Sequence, residues 1–391
     1  MLCRVGHKTA GRLLLLATLL LVERPAPAVA SPERTIEAAA AASKRSTIER
    51  YIRARRAYEQ EAEAYWEAVA EKRRLRLAKR RNGEPIGLDD YVLAQPPLYA
   101  GPPRPPGYVT PRDPARPRLR IPVIADFLRH AAEQFRFVPQ RPASEAAFKQ
   151  AYAKAAAAAG LTQEQVVRIY AFETGGNGTY DVQAGLTSRS KKARAISPAV
   201  GYNQLLNTNT IGLLAEHGDD FVRALERSAA KLDGPDGSAM QRKIEALRRM
   251  IAFSRTVPYR WSEHDRLAKT TPGGIGVHAA VLDRDLGPLL QTQKLLNSVQ
   301  YARSKGLTRP LTAVELQLMN FTGDGNGIDM VLMPHELRER VPTSNFFQRG
   351  GYERNPIARR AATVAGLFAA IEAKMDRASQ AEGARDLAEA F

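Results

Sequence analysis

Cysteine is almost missing from this chain: of 391 residues only Cys3 is one. No intrachain disulfide can form, and once the first 30 residues are set aside thiolate zinc sites and cysteine nucleophiles are excluded as well. Histidine is sparse. His130, His217, His264, His278 and His335 never stand at ligand spacing, and His335-Glu336 lacks the second histidine of a zinc-protease helix, so no metal or other cofactor is expected. There is no Gly-x-Ser-x-Gly elbow for serine chemistry, and Gly273-Gly274-Ile275-Gly276 follows no strand pattern that would make it a nucleotide loop. Period-two alternation is nearly absent, which leaves a mainly α-helical fold without internal repeats. Long apolar runs are missing too: residues 13–22 form the longest, ten residues interrupted by Thr18, short of a comfortable membrane span.

That run has a positive flank in Arg4, Lys8 and Arg12, and Ala28-Val29-Ala30 ahead of Ser31 is a small-residue cleavage signature. Residues 1–30 therefore read as a signal peptide, with an uncleaved anchor as the alternative. The mature chain is expected in the periplasm or secreted, a setting that suits a thiol-free protein. No cysteine follows the run, so nothing suggests lipid attachment. Basic residues outnumber acidic ones by 58 to 41, and taking the leader's four basic residues and one acid from the net +17 leaves +14. Such a charge suits nucleic acid, anionic lipid or an acidic polymer. Export argues against nucleic acid, and no helix-turn-helix, zinc finger or aromatic-basic RNA motif is present, which leaves cell-wall polymer; arginine inherited from base composition is the bland alternative.

Residues 31–82 are rich in Ala, Glu, Arg and Lys, with Tyr51, Tyr58, Tyr65, Trp66, Val69 and Leu75 near helical spacing, and predict one or two long helices. Their basic end, around Lys72-Arg73-Arg74 and Lys79-Arg80-Arg81, reads as a solvated face or as a contact for anionic wall or membrane surface. Residues 83–118 are dense in proline and predict an extended linker. The main domain is expected over 119–377, with helices at 121–135, 144–159, 211–231, 240–255, 277–305, 312–320 and 358–377. A turn is expected at 234–237, a loop at 261–276 and a tail at 378–391.

One helix carries the candidate chemistry. Thr162 followed by Gln165 is a capping box, and Val166, Ile169, Tyr170 and Glu173 fall at i, i+3, i+4 and i+7, which puts an acid on the inward face. Gly175-Gly176 ends the helix directly afterwards. Partial burial and the negative end of the helix both raise a carboxyl's proton affinity, as a general acid needs. An ordinary terminal glutamate half in solvent is the competing reading.

The helix end Glu173-Thr174-Gly175-Gly176, then Ser197 and Ala199-Val200-Gly201-Tyr202-Asn203-Gln204 with Thr208-Asn209-Thr210 beyond, resembles the lytic transglycosylases of the lysozyme superfamily. That family has a Glu-Ser helix end, a following serine, an Ala-x-Gly-Leu-Met-Gln segment and a threonine-bearing helix start. The resemblance covers about residues 120–375. It implies a lysozyme-like (goose-type, SLT) helical domain that cleaves the β-1,4 bond between N-acetylmuramic acid and N-acetylglucosamine in peptidoglycan glycan strands and leaves 1,6-anhydro ends. Glu173 would be the catalytic acid, and Ser197, Tyr202, Asn203, Gln204 and Asn320 would bind the sugars. Where the family has Ala-Tyr-Asn-Ala-Gly-Pro-Gly, this chain has Met319-Asn320-Phe321-Thr322-Gly323-Asp324-Gly325, so the cleft phenol is replaced by Asn320. A calcium loop starting at Asp324 fails, because Ile328 and Asp329 stand where an oxygen ligand and a glycine are required. The 177–196 loop is about fifteen residues longer than usual and holds Arg189, Lys191, Lys192 and Arg194, candidate contacts for muramyl or stem-peptide carboxylates. A hydrolytic muramidase would need a second carboxylate, with Asp181 or Asp219 as candidates. A wall-binding protein without catalysis is the remaining alternative.

Overall fold

The computed structural model describes residues 32–109, 120–186 and 194–391; the expected leader with Cys3, and Arg189, Lys191 and Lys192, lie outside them. Among the described residues the fold is mainly helical, and only isolated bridges, such as Val200 with Leu205, pair extended backbone. No described helix is long and apolar enough to cross a membrane.

Two compact units share the first helix, α1 (Pro32–Asn82). In the smaller unit, Met1–Tyr58 with Tyr99–Thr110, the described proline-rich segment lies back along α1. Tyr51 meets the Tyr99 and Tyr108 rings edge-on, Tyr58 meets Tyr99, and the Arg55 guanidinium lies 4.8 and 5.2 Å from the Tyr58 and Tyr99 centroids. Prolines remove backbone donors and flatten the segment, so tyrosine rings supply its packing. A Cβ at Gly101 would come within 2.9 Å of the Ala54 Cβ, so glycine allows this close approach.

The larger unit, Glu59–Leu98 with Pro111–Phe391, begins earlier than residue 119, the start expected for the main domain. Here the 83–98 stretch is docked rather than a free linker: Asn345 Nδ2 donates to Val92 O at 2.8 Å, and Asn345 Oδ1 accepts from Val92 N. Arg76 is 1% exposed, donates to the Asp90 and Asn345 carbonyls, and lies 4.4 Å from the Tyr91 ring centroid, while Leu75 beside it is 48% exposed. Arg73, Arg76 and Arg80 fall on one face and turn inward, Arg73 to the Asn345 and Phe347 carbonyls and Arg80 to Asp329 at 2.6 Å. The expected solvated basic face is thus divided, with Arg74 and Arg81 left exposed. Guanidinium suits this role because its stem packs while its fork satisfies carbonyls.

The remaining helices are α2 (Ile124–Phe135), α3 (Glu145–Ala158), α4 (Gln163–Thr174), α5 (Asn207–Ala229), α6 (Gly234–Ser254), α7 (Trp261–Thr270), α8 (Pro272–Gly276), α9 (Leu286–Ser304), α10 (Ala313–Thr322), α11 (Asp324–Val331), α12 (His335–Arg340), α13 (Arg349–Glu353), α14 (Pro356–Ala361), α15 (Val364–Ser379) and α16 (Glu382–Glu389). Several expectations are corrected. The 234–237 turn is the first turn of α6, where Pro235 costs nothing because first-turn amides lack partners anyway. The 261–276 loop is two helices, α7 burying His264, Leu267 and Ala268. The single 277–305 helix is broken at Asp283, whose Oδ1 accepts from the amides of Asp285 and Leu286 and restarts the chain as α9. Lys243 closes this buried corner by pairing with Asp283 at 2.9 Å. The 378–391 tail holds α16, anchored by fully buried Ala384 and Leu387.

Two hydrophobic cores form. One gathers α3, α4, α10, α15 and α16 with the distal part of α9; the other gathers α2, α5, α6, α7 and the proximal part of α9. Leu286 and Leu290 enter the second core and Leu295 and Ala302 the first, so α9 ties the two together.

Candidate functional site

The α4 helix forms as its sequence requires. Thr162 Oγ1 accepts from Gln165 N at 3.2 Å, Gln165 Oε1 accepts from Thr162 N at 3.0 Å, and Gly175 takes φ 72° at the far end. Gly176 follows with φ 80°, where a Cβ would stand 2.1 Å from the Ala378 carbonyl, so only glycine lets the helix end press against α15. Val166, Ile169 and Tyr170 are fully buried, which leaves Glu173, one turn further on, half-buried at the helix end.

Glu173 opens on a groove of about 650 Å³ whose walls include Ser197, Gln204, Asn209, Trp261, Lys294, Asn320 and Asp324. Its Oε1 accepts from Gln317 Nε2 at 2.7 Å and from Asn320 Nδ2 at 3.0 Å. Among the described residues, no hydrogen bond is made to Oε2. Burial pushes this carboxyl above the usual glutamate range; the Gln317 amide, the Lys374 charge, the Asn320 amide and the Lys294 charge each pull it back, and burial wins. Lys374 lies 3.8 Å above the Phe172 ring, and burial lowers its own proton affinity. The result is a carboxyl with one oxygen held by two amides and the other available to carry a proton toward a groove.

Gln204 and Ser197 reach the same groove from the segment after the long loop. Val200 and Leu205 exchange backbone hydrogen bonds at 2.9 and 3.0 Å around a tight turn, with Gly201 at φ 83° and Gln204 itself left-handed at φ 47°. A Cβ at Gly201 would sit 1.9 Å from Gln291 Nε2. Gln204 Nε2 donates to the carbonyls of Val182 and Gly201, which presents its Oε1 as an acceptor. Ser197 Oγ accepts from Ala199 N at 3.2 Å, and His278 holds the neighbouring loop, its Nε2 donating to the Pro198 carbonyl at 3.1 Å while Thr210 Oγ1 donates to Nδ1 at 2.8 Å. Burial lowers the His278 pKa to about 3, so the ring is a neutral strut.

Four of the six expected site residues, Glu173, Ser197, Gln204 and Asn320, therefore meet in one groove. Tyr202 and Asn203 do not. Tyr202 is fully buried, packs edge-on against Tyr170 at 4.8 Å and donates to Glu145. Asn203 is 1% exposed and spends its amide on Tyr152 and on the Gln291 carbonyl. The tight turn explains the division: the chain sends Tyr202 and Asn203 into the core and, through the left-handed backbone at Gln204, turns that side chain out to the groove.

Neither carboxylate proposed as a second acid walls the groove: Asp181 accepts from Thr179, and Asp219 pairs with Arg255 at 2.9 Å. Asp324 does, with its Oδ1 accepting from Ser298 Oγ at 2.6 Å. Arg194 is exposed and is not among the groove walls. Sequence reasoning also missed Gln317, Lys294 and Trp261. Gln317 carried a signal, since it stands three residues before Asn320 and so on the same face of the helix; Trp261 was hidden by the reading of its helix as a loop.

A separate cavity of about 570 Å³ borders α11 and α1, walled by apolar side chains, the Arg80–Asp329 pair and the charged Arg81, Glu84 and Lys305. Burial raises Asp329 to about 6, but its charge is already matched there. No group of acids, histidines and cysteines able to hold a metal occurs among the described residues. Comparison with protein-family models, with curated proteins and with solved structures returned no match for this chain.

Proposed function

We propose that this protein is a peptidoglycan lytic transglycosylase of lysozyme-like fold, acting in the periplasm or outside the cell. The observation that carries the reading is the half-buried Glu173 carboxyl, raised in proton affinity, with Oε1 tied to Gln317 and Asn320 and Oε2 without a hydrogen bond among the described residues, beside a groove wide enough for a saccharide. Glu173 Oε2–H gives its proton to the bridging oxygen, the muramyl C1–O bond breaks, and the N-acetylglucosamine O4 leaves as a hydroxyl. The muramyl C6 hydroxyl then bonds to C1 and returns a proton to the carboxylate, closing the 1,6-anhydro ring. No water is consumed and no second carboxylate is needed. Asn320 and Gln317 take the place of the missing phenol by fixing the carboxylate, and Gln204 and Ser197 hold the sugars. The net charge of +14 expected for the mature chain suits a wall polymer rich in carboxylates.

A hydrolytic muramidase is favoured by one observation, the presence of Asp324 in the same groove, where a carboxylate could activate water. Clearing of purified murein sacculi by wild type and Glu173→Gln tests the reading, with product masses separating its two forms. Anhydro ends from wild type and none from the variant are expected. Products heavier by one water would replace the first reading by the second, and equal, negligible clearing by both proteins would leave a wall-binding protein without catalysis.

A further inference from the structure

The groove does not end beside Glu173. Asn209, Trp261, Lys294 and Asp324 wall both the cavity that holds the acid and a second one of about 210 Å³, which Tyr259, His264 and Asn297 also line. Three features of this second lobe stand out. Trp261 is 57% exposed, so its ring face is not spent on a core. His264 is 3% exposed, yet its Nε2 has no hydrogen-bond partner. Lys294 is half-buried and, among the described residues, lies within ion-pair distance of no carboxylate. Among the described residues it is also the only lysine or arginine that walls either cavity. An open indole and an ammonium with no carboxylate at ion-pair distance within one lobe call for a ligand with a flat apolar face and a negative charge.

We infer that this lobe takes a saccharide ring bearing its own carboxylate, stacked on Trp261, with the carboxylate on Lys294. The inference rests on the wall-glycan reading above. Lys294 sits in the wall common to both lobes, beside the indole on which the ring is placed, and the charge it meets is assigned to the ring's own substituent. In wall glycan that substituent is the lactyl group of muramic acid, whose carboxylate is free only where the stem peptide has been removed. Carboxylates further along a stem peptide lie beyond ring level. The preferred substrate is therefore peptide-free glycan, and the reaction that must supply it is hydrolysis of the lactyl amide, in which water adds across the C–N bond to leave the lactyl carboxylate and the amine of the peptide.

Binding is measured with the full-length Glu173→Gln protein, which removes turnover, against peptide-free glycan strands, peptide-bearing strands of the same length, and neutral chito-oligosaccharides. Peptide-free strands should bind about tenfold more tightly than either of the others, the scale of one charge-assisted contact. Adding Lys294→Met should bring them down to the neutral ligand, Lys294→Arg should keep the preference, and Trp261→Ala should weaken all three ligands alike. A Lys294→Gln protein, which keeps a polar side chain, repeats the test should the methionine variant not fold. Equal affinity for the three ligands, or no effect of Lys294→Met, with glycan binding retained, would overturn this inference alone. Failure of every glycan to bind would overturn the wall-glycan reading and this inference with it.

Discussion

Glu145 and Glu173 are two half-buried glutamates in the same unit, both pushed upward in proton affinity by burial, and they differ in how their surroundings are completed. Glu145 accepts from the Tyr202 hydroxyl on one oxygen and from Tyr180 N on the other, within a packed group that includes Tyr152, Tyr170 and Asn203. Glu173 has one oxygen matched twice and, among the described residues, the other not at all, and it opens on a groove that Lys294 also walls. A buried carboxylate matched on both oxygens serves the fold; one left half-matched beside a groove marks where something else can bind. The shift in proton affinity alone would not have told the two acids apart.

The comparison can be broken most sharply at the acids themselves. Glu173→Gln should lower murein clearing by about 10²–10⁴-fold, the range general acid catalysis contributes, while Glu145→Gln should leave clearing per folded molecule nearly unchanged. Sacculus turbidity normalised to folded protein reads both. Next in size, Tyr202→Phe and Asn203→Ala each leave buried partners unmatched and should each cost about 1–3 kcal/mol in denaturant unfolding, with no loss of clearing beyond the unfolded fraction.

Stability against pH sharpens the contrast further. Folding raises the Glu173 carboxyl, so its contribution is fully present below the unfolded pKa of about 4.3 and is lost as pH rises through the folded value. Glu173→Gln removes that loss, so the variant should melt higher than wild type at neutral pH and lose its advantage in acid; thermal melts at both pH values check this. The smallest effects concern tuning. Gln317 is the largest single influence pulling the carboxyl back down, so Gln317→Leu should move the alkaline limb of the clearing profile to higher pH. Lys374→Met should move it the same way by less, and the two pH profiles decide the order.

Much of the architecture was legible because helix ends are local. Thr162 with Gln165 and Thr312 with Glu315 announce α4 and α10 through partners three residues away, and both capping boxes form. The α3 helix likewise lies within one residue of its expected bounds at each end. Where the reading failed, distant groups decided. Asp283 breaks one expected helix because Lys243, forty residues back, and Gln140 N complete its surroundings. Leu75 faces solvent and Arg76 the interior because carbonyls at Asp90 and Asn345 were waiting for a guanidinium.

The candidate site divides along the same line. By itself the sequence determined that an acid stands at the end of an amphipathic helix, that glycines stop the helix there, and that a Gly-x-x-Gln turn follows, since each is set by backbone geometry and neighbours within a few residues. Only the tertiary structure decided which polar side chains complete the acid. Gln317 and Asn320 reach Glu173 from 144 and 147 residues away, and Tyr202 and Asn203, two residues and one residue from Gln204, turn instead into the core. The physical reason is that a hydrogen-bond donor's partner is chosen by proximity in space and by exclusion of water, and periodicity along a chain carries neither.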